Sequence, residues 1–335
     1  MNNKNHNSQL ILEKEHEKSQ FNEQIETILG TKYKLKTIYE IKNKQNEEKE
    51  PFSEQLLQKL QILIDKIENF KKYNKIYIAY SGGIDSALMA KIAFDILKEK
   101  TTAITGISAS IPDEEIKNAK TIAKIIGITQ ITIKTNELDN LQYYQNPTNR
   151  CYFCKSELYT QLHQFAQKEE QKQEQNKEKY IILDGTNADD THDYRPGAKA
   201  GIELNIKSPL QETGLTKKEI RMIAKALEIP IWNKPATPCL SSRVAYGETI
   251  TIEKLKKIEL AEKKIREKGI ERVRVRYENN TARIEIDKND FIRFLENNDE
   301  ITAFLKQLGF HYVALDLEGY RRGSLNLFKE NKKLI

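Results

Sequence analysis

Leu56, Leu57, Leu60, Ile64 and Ile67 recur at three- and four-residue intervals. That spacing lays apolar side chains along one stripe of a helix and predicts an amphipathic helix ending before Lys75. The period then changes. Residues 75–80, Lys-Ile-Tyr-Ile-Ala-Tyr, are short, β-branched and aromatic, and predict a buried strand. A glycine pair follows, then a helix carrying Ala87, Leu88, Ala90, Ile92, Ala93 and Leu97. Further strands are predicted at 103–108, 128–133 and 180–184, with a helix at 114–126 and a solvated helix end or insertion over 168–179. Thr216 and Glu219 form a capping box opening a helix through Leu227. Strand–helix alternation of this kind predicts an α/β fold with a doubly wound parallel sheet.

After Gly247 the pattern changes again. A helix over 251–268 stops at Gly269, and alternating strands follow at 272–277 and 282–287. Helical segments over 291–308 then lead to a last strand at 311–317, giving a smaller C-terminal α+β domain. Residues 1–50 are rich in Asn, Lys, Glu and Gln and lack the apolar content to fold alone. The expected organisation is a poorly ordered charged extension (1–50), a nucleotide-binding domain (51–246) and the α+β domain (247–335).

Composition narrows the function classes. The 335 residues include 55 Lys and Arg against 49 Asp and Glu, and the two signs are interspersed, so the net +6 does not call for a nucleic-acid partner. Three cysteines are too few and too odd for a disulfide framework. No apolar run resembles a secretory signal or a membrane span. The expectation is a soluble, cytoplasmic protein.

Ser81-Gly82-Gly83-Ile84-Asp85-Ser86 joins the first strand to its helix. Two glycines let the backbone approach a ligand, and the helix N-terminus offers free N–H groups to an anion. Ser81 and Ser86 add hydroxyls, and Asp85 is a candidate Mg2+ ligand beside a pyrophosphate. The competing reading is a tight turn with a serine cap. This loop resembles the PP-loop of ATP pyrophosphatases and lacks the Gly-Lys-Ser/Thr ending of a Walker loop, so the resemblance implies transfer of AMP rather than of a phosphoryl group.

Cys151 and Cys154 form a C-x-x-C at the start of a predicted helix, and Cys239 lies far along the chain in Pro238-Cys239-Leu240-Ser241-Ser242-Arg243. A structural zinc would need a fourth ligand such as His163 or His192. A redox pair would need a thioredoxin-like context. An iron–sulfur cubane on three thiolates would leave one iron open. Asp184, Asn187, Asp189 and Asp190 lie just past a strand's carboxyl end, where doubly wound sheets place ligands, or else form an Asx-rich turn. Arg272, Arg274 and Arg276 share one face of an alternating strand, either a solvent-exposed face or a phosphate site.

Residues 184–190 (Asp-Gly-Thr-Asn-Ala-Asp-Asp), Asp193-Tyr194-Arg195-Pro196-Gly197, Ser208-Pro209-Leu210, the run from Lys234 to Arg243 and the C-terminal 319–326 together resemble the LarE-type ATP-dependent sulfur transferases. The resemblance spans roughly residues 53–327. It implies ATP and Mg2+ as cofactors and a pyridinium-3,5-biscarboxylic acid mononucleotide as substrate. The carboxylates of that substrate are adenylated and converted to thiocarboxylates. In one-cysteine members the cysteine matching Cys239 surrenders its sulfur and ends as dehydroalanine. In three-cysteine members the set matching Cys151, Cys154 and Cys239 holds a [4Fe–4S] cluster whose open iron carries a sulfide.

The resemblance further implies nucleotide contacts at Ser81, Gly82, Gly83, Asp85, Ser86, Asp184, Asn187 and Asp190. Arg195 and Arg243 flank motif segments and could face a carboxylate or phosphate bidentately, and with Ser242 they are candidate substrate contacts; the family's phosphate-holding basic pair on the strand matches Arg274 and Arg276. A homo-oligomer with the C-terminal domain as contact surface is expected; the sulfide donor is open. The rival readings are a PP-loop tRNA thiolase and a non-catalytic, zinc-stabilised nucleotide-binding protein.

Overall fold

A computed structural model describes residues 52–171, 180–191, 196–321 and 324. The expected N-terminal extension, His192 and Arg195 lie outside them.

Four strands, β1 (Lys75–Ala79), β2 (Thr101–Ile107), β3 (Thr129–Lys134) and β4 (Tyr180–Leu183), make one all-parallel sheet in the order β3-β2-β1-β4. Helices α1 (Glu54–Glu68), α2 (Ile84–Leu97), α3 (Asp113–Ile126), α4 (Arg150–Gln171), α5 (Pro196–Glu203) and α6 (Lys217–Ala226) surround it. Successive strand residues point to opposite faces. Ile76, Ile78, Ile181 and Leu183 enter a core with α1, α2 and α6, while Tyr77 and Ile182 enter another with Tyr159, Leu162 and Ala166 of α4. Both faces are therefore covered, the condition for a parallel sheet. The capping box forms as expected, with Thr216 and Glu219 each satisfying the other's backbone N–H.

Strand order decides where a ligand belongs. The chain builds β1, β2 and β3 in one direction and then returns to add β4 on the other side of β1. The crevice at that reversal, beyond the carboxyl ends of β1 and β4, is where open α/β sheets bind ligands. Eleven of the fourteen residues of α2 are buried, so the helix that starts at this crevice is fixed on nearly every side.

The second unit comprises α7 (Ile252–Arg266), β5 (Val273–Glu278), β6 (Thr281–Ile286), α8 (Phe291–Glu296), α9 (Asn298–Gln307) and β7 (Tyr312–Leu315). Strands β5 and β6 pair antiparallel around a two-residue turn, Asn279-Asn280, with φ of 47° and 60°. Asparagine tolerates the left-handed conformation that such hairpin turns demand. Strand β7 joins β6 in parallel, so a crossover is required, and α8 and α9 supply it. Tyr143, Leu240 and Val244 are contributed to this unit's core from earlier in the chain. Asn146, fully buried, ties the connection by donating its Nδ2 to the carbonyls of Val244 (3.2 Å) and Ala245 (2.7 Å). Among the described residues no helix is long and apolar enough to cross a membrane.

Candidate active site

The glycine loop leaves β1 and enters α2 with Gly82 at φ 73°, a left-handed conformation that suits glycine. A Cβ there would lie 2.6 Å from both Cα and Cβ of Ala119, so the loop is pressed directly onto α3. Inside the loop the Ser86 hydroxyl donates to the Gly83 carbonyl (3.0 Å) and accepts from the Ser81 N–H (3.2 Å). Gly185, just after β4, approaches so closely that a Cβ would sit 2.6 Å from the Ser86 nitrogen. The β1 and β4 loops thus form one packed floor at the switch point.

The acidic residues divide by role. Asp85 pairs with Lys217 Nζ at 2.5 Å, and the Lys217 backbone N–H donates to Asp189 Oδ2 at 2.9 Å. Asn187 accepts from the Asp189 N–H, and Asp190 accepts from the Asn187 N–H, so these side chains shape their own turn. Asp184, 4% exposed, accepts from Tyr159 Oη (2.7 Å), Thr186 Oγ1 (2.6 Å) and Ser208 Oγ (2.7 Å). Burial alone would raise its pKa, but nearby Lys155 and these hydrogen bonds hold the carboxyl below its ordinary value. It is the hub that fixes the β4 loop.

The Cys151–Cys154 pair and Cys239, far along the chain, come within electrostatic reach of one another. Cys151 and Cys154 stand one turn apart on the first turns of α4, and Cys239 opens the short turn Leu240–Arg243. Leu240 N–H donates to the Ser110 carbonyl at 2.7 Å, which pins Cys239 beyond the end of β2. Cys154 packs against the second core. Burial raises its thiol pKa well above the usual range; Cys239, Glu137 and Cys151 add to this, and Lys155 opposes it. The sulfurs of Cys151 and Cys239 therefore both lie within electrostatic reach of Cys154. The wall beside them is polar and buried: Glu137 accepts from Ser110 (2.7 Å) and from Ser108, and Tyr143 Oη meets Ser241 Oγ at 2.6 Å.

Three thiols from two segments, with soft sulfur donors and no fourth cysteine, could hold a cubane with one open iron. Among the described residues no three Cys, His, Asp or Glu side chains are grouped around a single metal-ion position. A cubane spreads its irons over separate corners and takes thiolates from further apart than one zinc ion does. His163 offers nothing to zinc here: its Nδ1 meets Tyr180 Oη and its Nε2 the Leu204 carbonyl, both at 2.8 Å.

Arg243 differs from the sequence expectation. It is fully buried, with Nε and Nη2 on Glu262 of α7 at 2.8 and 3.1 Å. Its Nη1 donates to the carbonyls of Pro238 (2.5 Å) and Cys239 (2.9 Å). Every guanidinium nitrogen is engaged, so Arg243 holds the Cys239 loop rather than offering itself to a substrate anion. Ser242 is likewise turned inward, donating its hydroxyl to the Cys239 carbonyl at 2.7 Å.

The basic strand face divides: Arg272, just before β5, is exposed and lies 3.6 Å from Asp287, whereas its two neighbours on that face are buried. Arg274 and Arg276 are 8% and 6% exposed, while Val273, Val275 and Tyr277 enter the core on the opposite face. Arg276 donates to the Ser242 carbonyl, Glu285 and Ser324, each at 2.8 Å, and its Nε has no acceptor among the described residues. Arg274 has no ion pair among the described residues; it reaches its neighbour's carbonyl at 3.3 Å and faces the Tyr320 ring at 5.5 Å. Burial, then Arg243, lowers its pKa. Glu262 acts on it through space but is bonded by Arg243, and a buried cation with no carboxylate bonded to it is costly unless an anion arrives.

Sequence reasoning missed Lys155 and Lys217. Lys155 follows Cys154 directly and brings its Nζ 2.8 Å from Tyr159 Oη and 3.4 Å from Asp184, joining the sulfur site to the β4 loop. Adjacency to the cysteine motif, and to the N-cap Thr216 for Lys217, was the available signal.

Comparison with known proteins agrees with this geometry. The NAD synthase family model matches residues 55–159. The pyridinium-3,5-bisthiocarboxylic acid mononucleotide synthase of Lactiplantibacillus plantarum is 36% identical over 76% of this chain and 90% of its own. An uncharacterized protein of Synechocystis is 44% identical, and one of Methanocaldococcus jannaschii 35%, each over 79% of this chain and 98% of its own.

Proposed function

Since the chain belongs to the LarE-type family of PP-loop sulfur transferases and is an ATP-dependent enzyme, we propose that it adenylates the carboxylates of pyridinium-3,5-biscarboxylic acid mononucleotide and converts them to thiocarboxylates. The observation that carries this reading is the approach of thiols from two distant segments near the carboxyl ends of β2 and β4, where Leu240 bonds the Ser110 carbonyl and Lys155 reaches Asp184.

A carboxylate resists nucleophiles because of its charge and because oxide is a poor leaving group. Its oxygen attacks the α-phosphorus of ATP, pyrophosphate departs, and the acyl adenylate now carries AMP as leaving group. A hydrosulfide sulfur attacks the carbonyl carbon, AMP leaves, and a thiocarboxylate results. Ser81 to Ser86 cradle the phosphates, and Asp85 with Mg2+ and Lys217 balances their charge. A [4Fe–4S] cluster held by Cys151, Cys154 and Cys239 would supply the transferable sulfide at the iron that no protein thiolate takes. Arg274 and the free Nε edge of Arg276 hold the nucleotide phosphate.

Two outcomes are expected. Anaerobic reconstitution yields a protein holding iron and acid-labile sulfide in equal amounts; retained zinc with no iron uptake rejects the cluster. Arg274→Ala, alone or with Arg276→Ala, weakens binding of the pyridinium nucleotide by about 10- to 100-fold. ATP binding stays as in the wild type, and unchanged nucleotide affinity rejects the phosphate assignment.

A further inference from the structure

The proposed substrate carries two carboxylates, and only one is activated at a time. The other is an anion entering a site built of thiols and buried polar groups, and it needs a cation of its own. Arg150 is such a cation. It is 5% exposed and immediately precedes Cys151. Its Nη1 donates to Asn146 Oδ1 at 2.5 Å, and its guanidinium lies 5.3 Å from the Tyr246 ring centre. Both partners are neutral. No ion pair neutralises it among the described residues, and its Nε–Nη2 edge has no acceptor there. That edge is the pair of parallel N–H groups that matches a carboxylate bidentately.

The surroundings place this guanidinium beside the sulfur site: Arg150 directly precedes Cys151, and its anchor Asn146 bonds the carbonyls of Val244 and Ala245, a few residues past Cys239. Tyr246, against which Arg150 stacks, is raised in pKa first by burial; Arg150 and Arg276 oppose the rise, and Cys151 and Cys239 add to it. The ring thus stands among Arg150, the phosphate-side Arg276 and two of the three cysteines. Asn146 is itself fixed by two backbone carbonyls, so the guanidinium is held from behind as well as from its face.

Resting on the reading above, we infer that Arg150 is a specificity-determining residue that binds the carboxylate not being activated. In the second round the molecule returns with its new thiocarboxylate, also an anion, on Arg150, and the remaining carboxylate faces ATP. One cation thereby serves both rounds, and a pyridine with a single carboxylate is discriminated against.

The test compares two ligands on the full-length metal-free protein by calorimetry: pyridinium-3,5-biscarboxylic acid mononucleotide and nicotinic acid mononucleotide, which lacks the second carboxylate. Wild type should prefer the dicarboxylate by about 10- to 100-fold. Arg150→Gln should remove that preference by weakening the dicarboxylate alone, and Arg150→Lys, which keeps charge without the fork, should retain part of it. Thermal unfolding of each variant reports whether the Asn146 anchor survives. Equal weakening of both ligands in folded Arg150→Gln overturns the inference and leaves the proposed function standing. Failure of wild type to bind the dicarboxylate while binding ATP overturns both.

Discussion

Cys239→Ala should lower thiocarboxylate formation by about a thousandfold or more, while ATP-driven pyrophosphate release on the dicarboxylate stays within about twofold of wild type. The separation follows from how the loop is built. The Cys239 carbonyl accepts from the Ser242 N–H (3.0 Å), the Ser242 hydroxyl (2.7 Å) and Arg243 Nη1 (2.9 Å), while its sulfur holds none of these. Removing the sulfur therefore leaves the loop, the glycine-loop floor and Arg274 in place. Only the step that forms the carbon–sulfur bond loses its means. Quantifying pyrophosphate and the nucleotide product in the same reaction checks both halves, and a parallel fall in pyrophosphate release contradicts the division of labour.

The second large effect concerns stability. Glu262 is 1% exposed and receives Arg243, Arg266 and the Val275 N–H at 2.8 to 3.1 Å. Glu262→Ala strands the buried Arg243 charge and should cost about 3–5 kcal/mol of unfolding free energy, measured by urea denaturation. Replacing both partners with apolar residues of similar volume should cost less, because no charge is then left buried. Burial pushes the Glu262 pKa up, but Arg243, then Arg274 and Arg266, outweigh it and the net direction is down.

A folded-state pKa below the unfolded value of about 4.3 fixes the sign: the contribution is complete above that pH and fades as acid protonates the folded form. The stability gap between wild type and Glu262→Gln should therefore narrow as the pH falls below about 4.3. A gap that stays constant into acid means the pair contributes through packing alone.

Much of this was legible in the residues. Period-two and helical spacing located each strand of the parallel sheet within a few residues, because buried strands and amphipathic helices leave opposite periodicities. The glycine loop was recognisable because Gly82 at φ 73° and the close approach of Gly185 admit little else. The resemblance grouped the three cysteines as one site, but their spacing alone could not, since only the fold brings position 239 near the start of α4. The same limit explains Arg243 and Arg150. The motif marked Arg243 as a candidate anion binder and left Arg150 unmarked, yet whether Glu262 or only Asn146 waits opposite is decided by tertiary packing. Local turn chemistry accounts for Asn187 and Asp190, whose side chains close their own loop.

The central claim is ATP-driven exchange of carboxylate oxygen for sulfur without consumption of the protein. Anaerobic turnover of the reconstituted full-length chain with ATP, Mg2+, sulfide and pyridinium-3,5-biscarboxylic acid mononucleotide tests it, with nucleotide and protein both read by mass spectrometry. The predicted result is stepwise replacement of oxygen by sulfur at both carboxylates, with Cys239 intact afterwards. A nucleotide of unchanged mass contradicts sulfur transfer, and dehydroalanine at position 239 contradicts the reusable three-cysteine site.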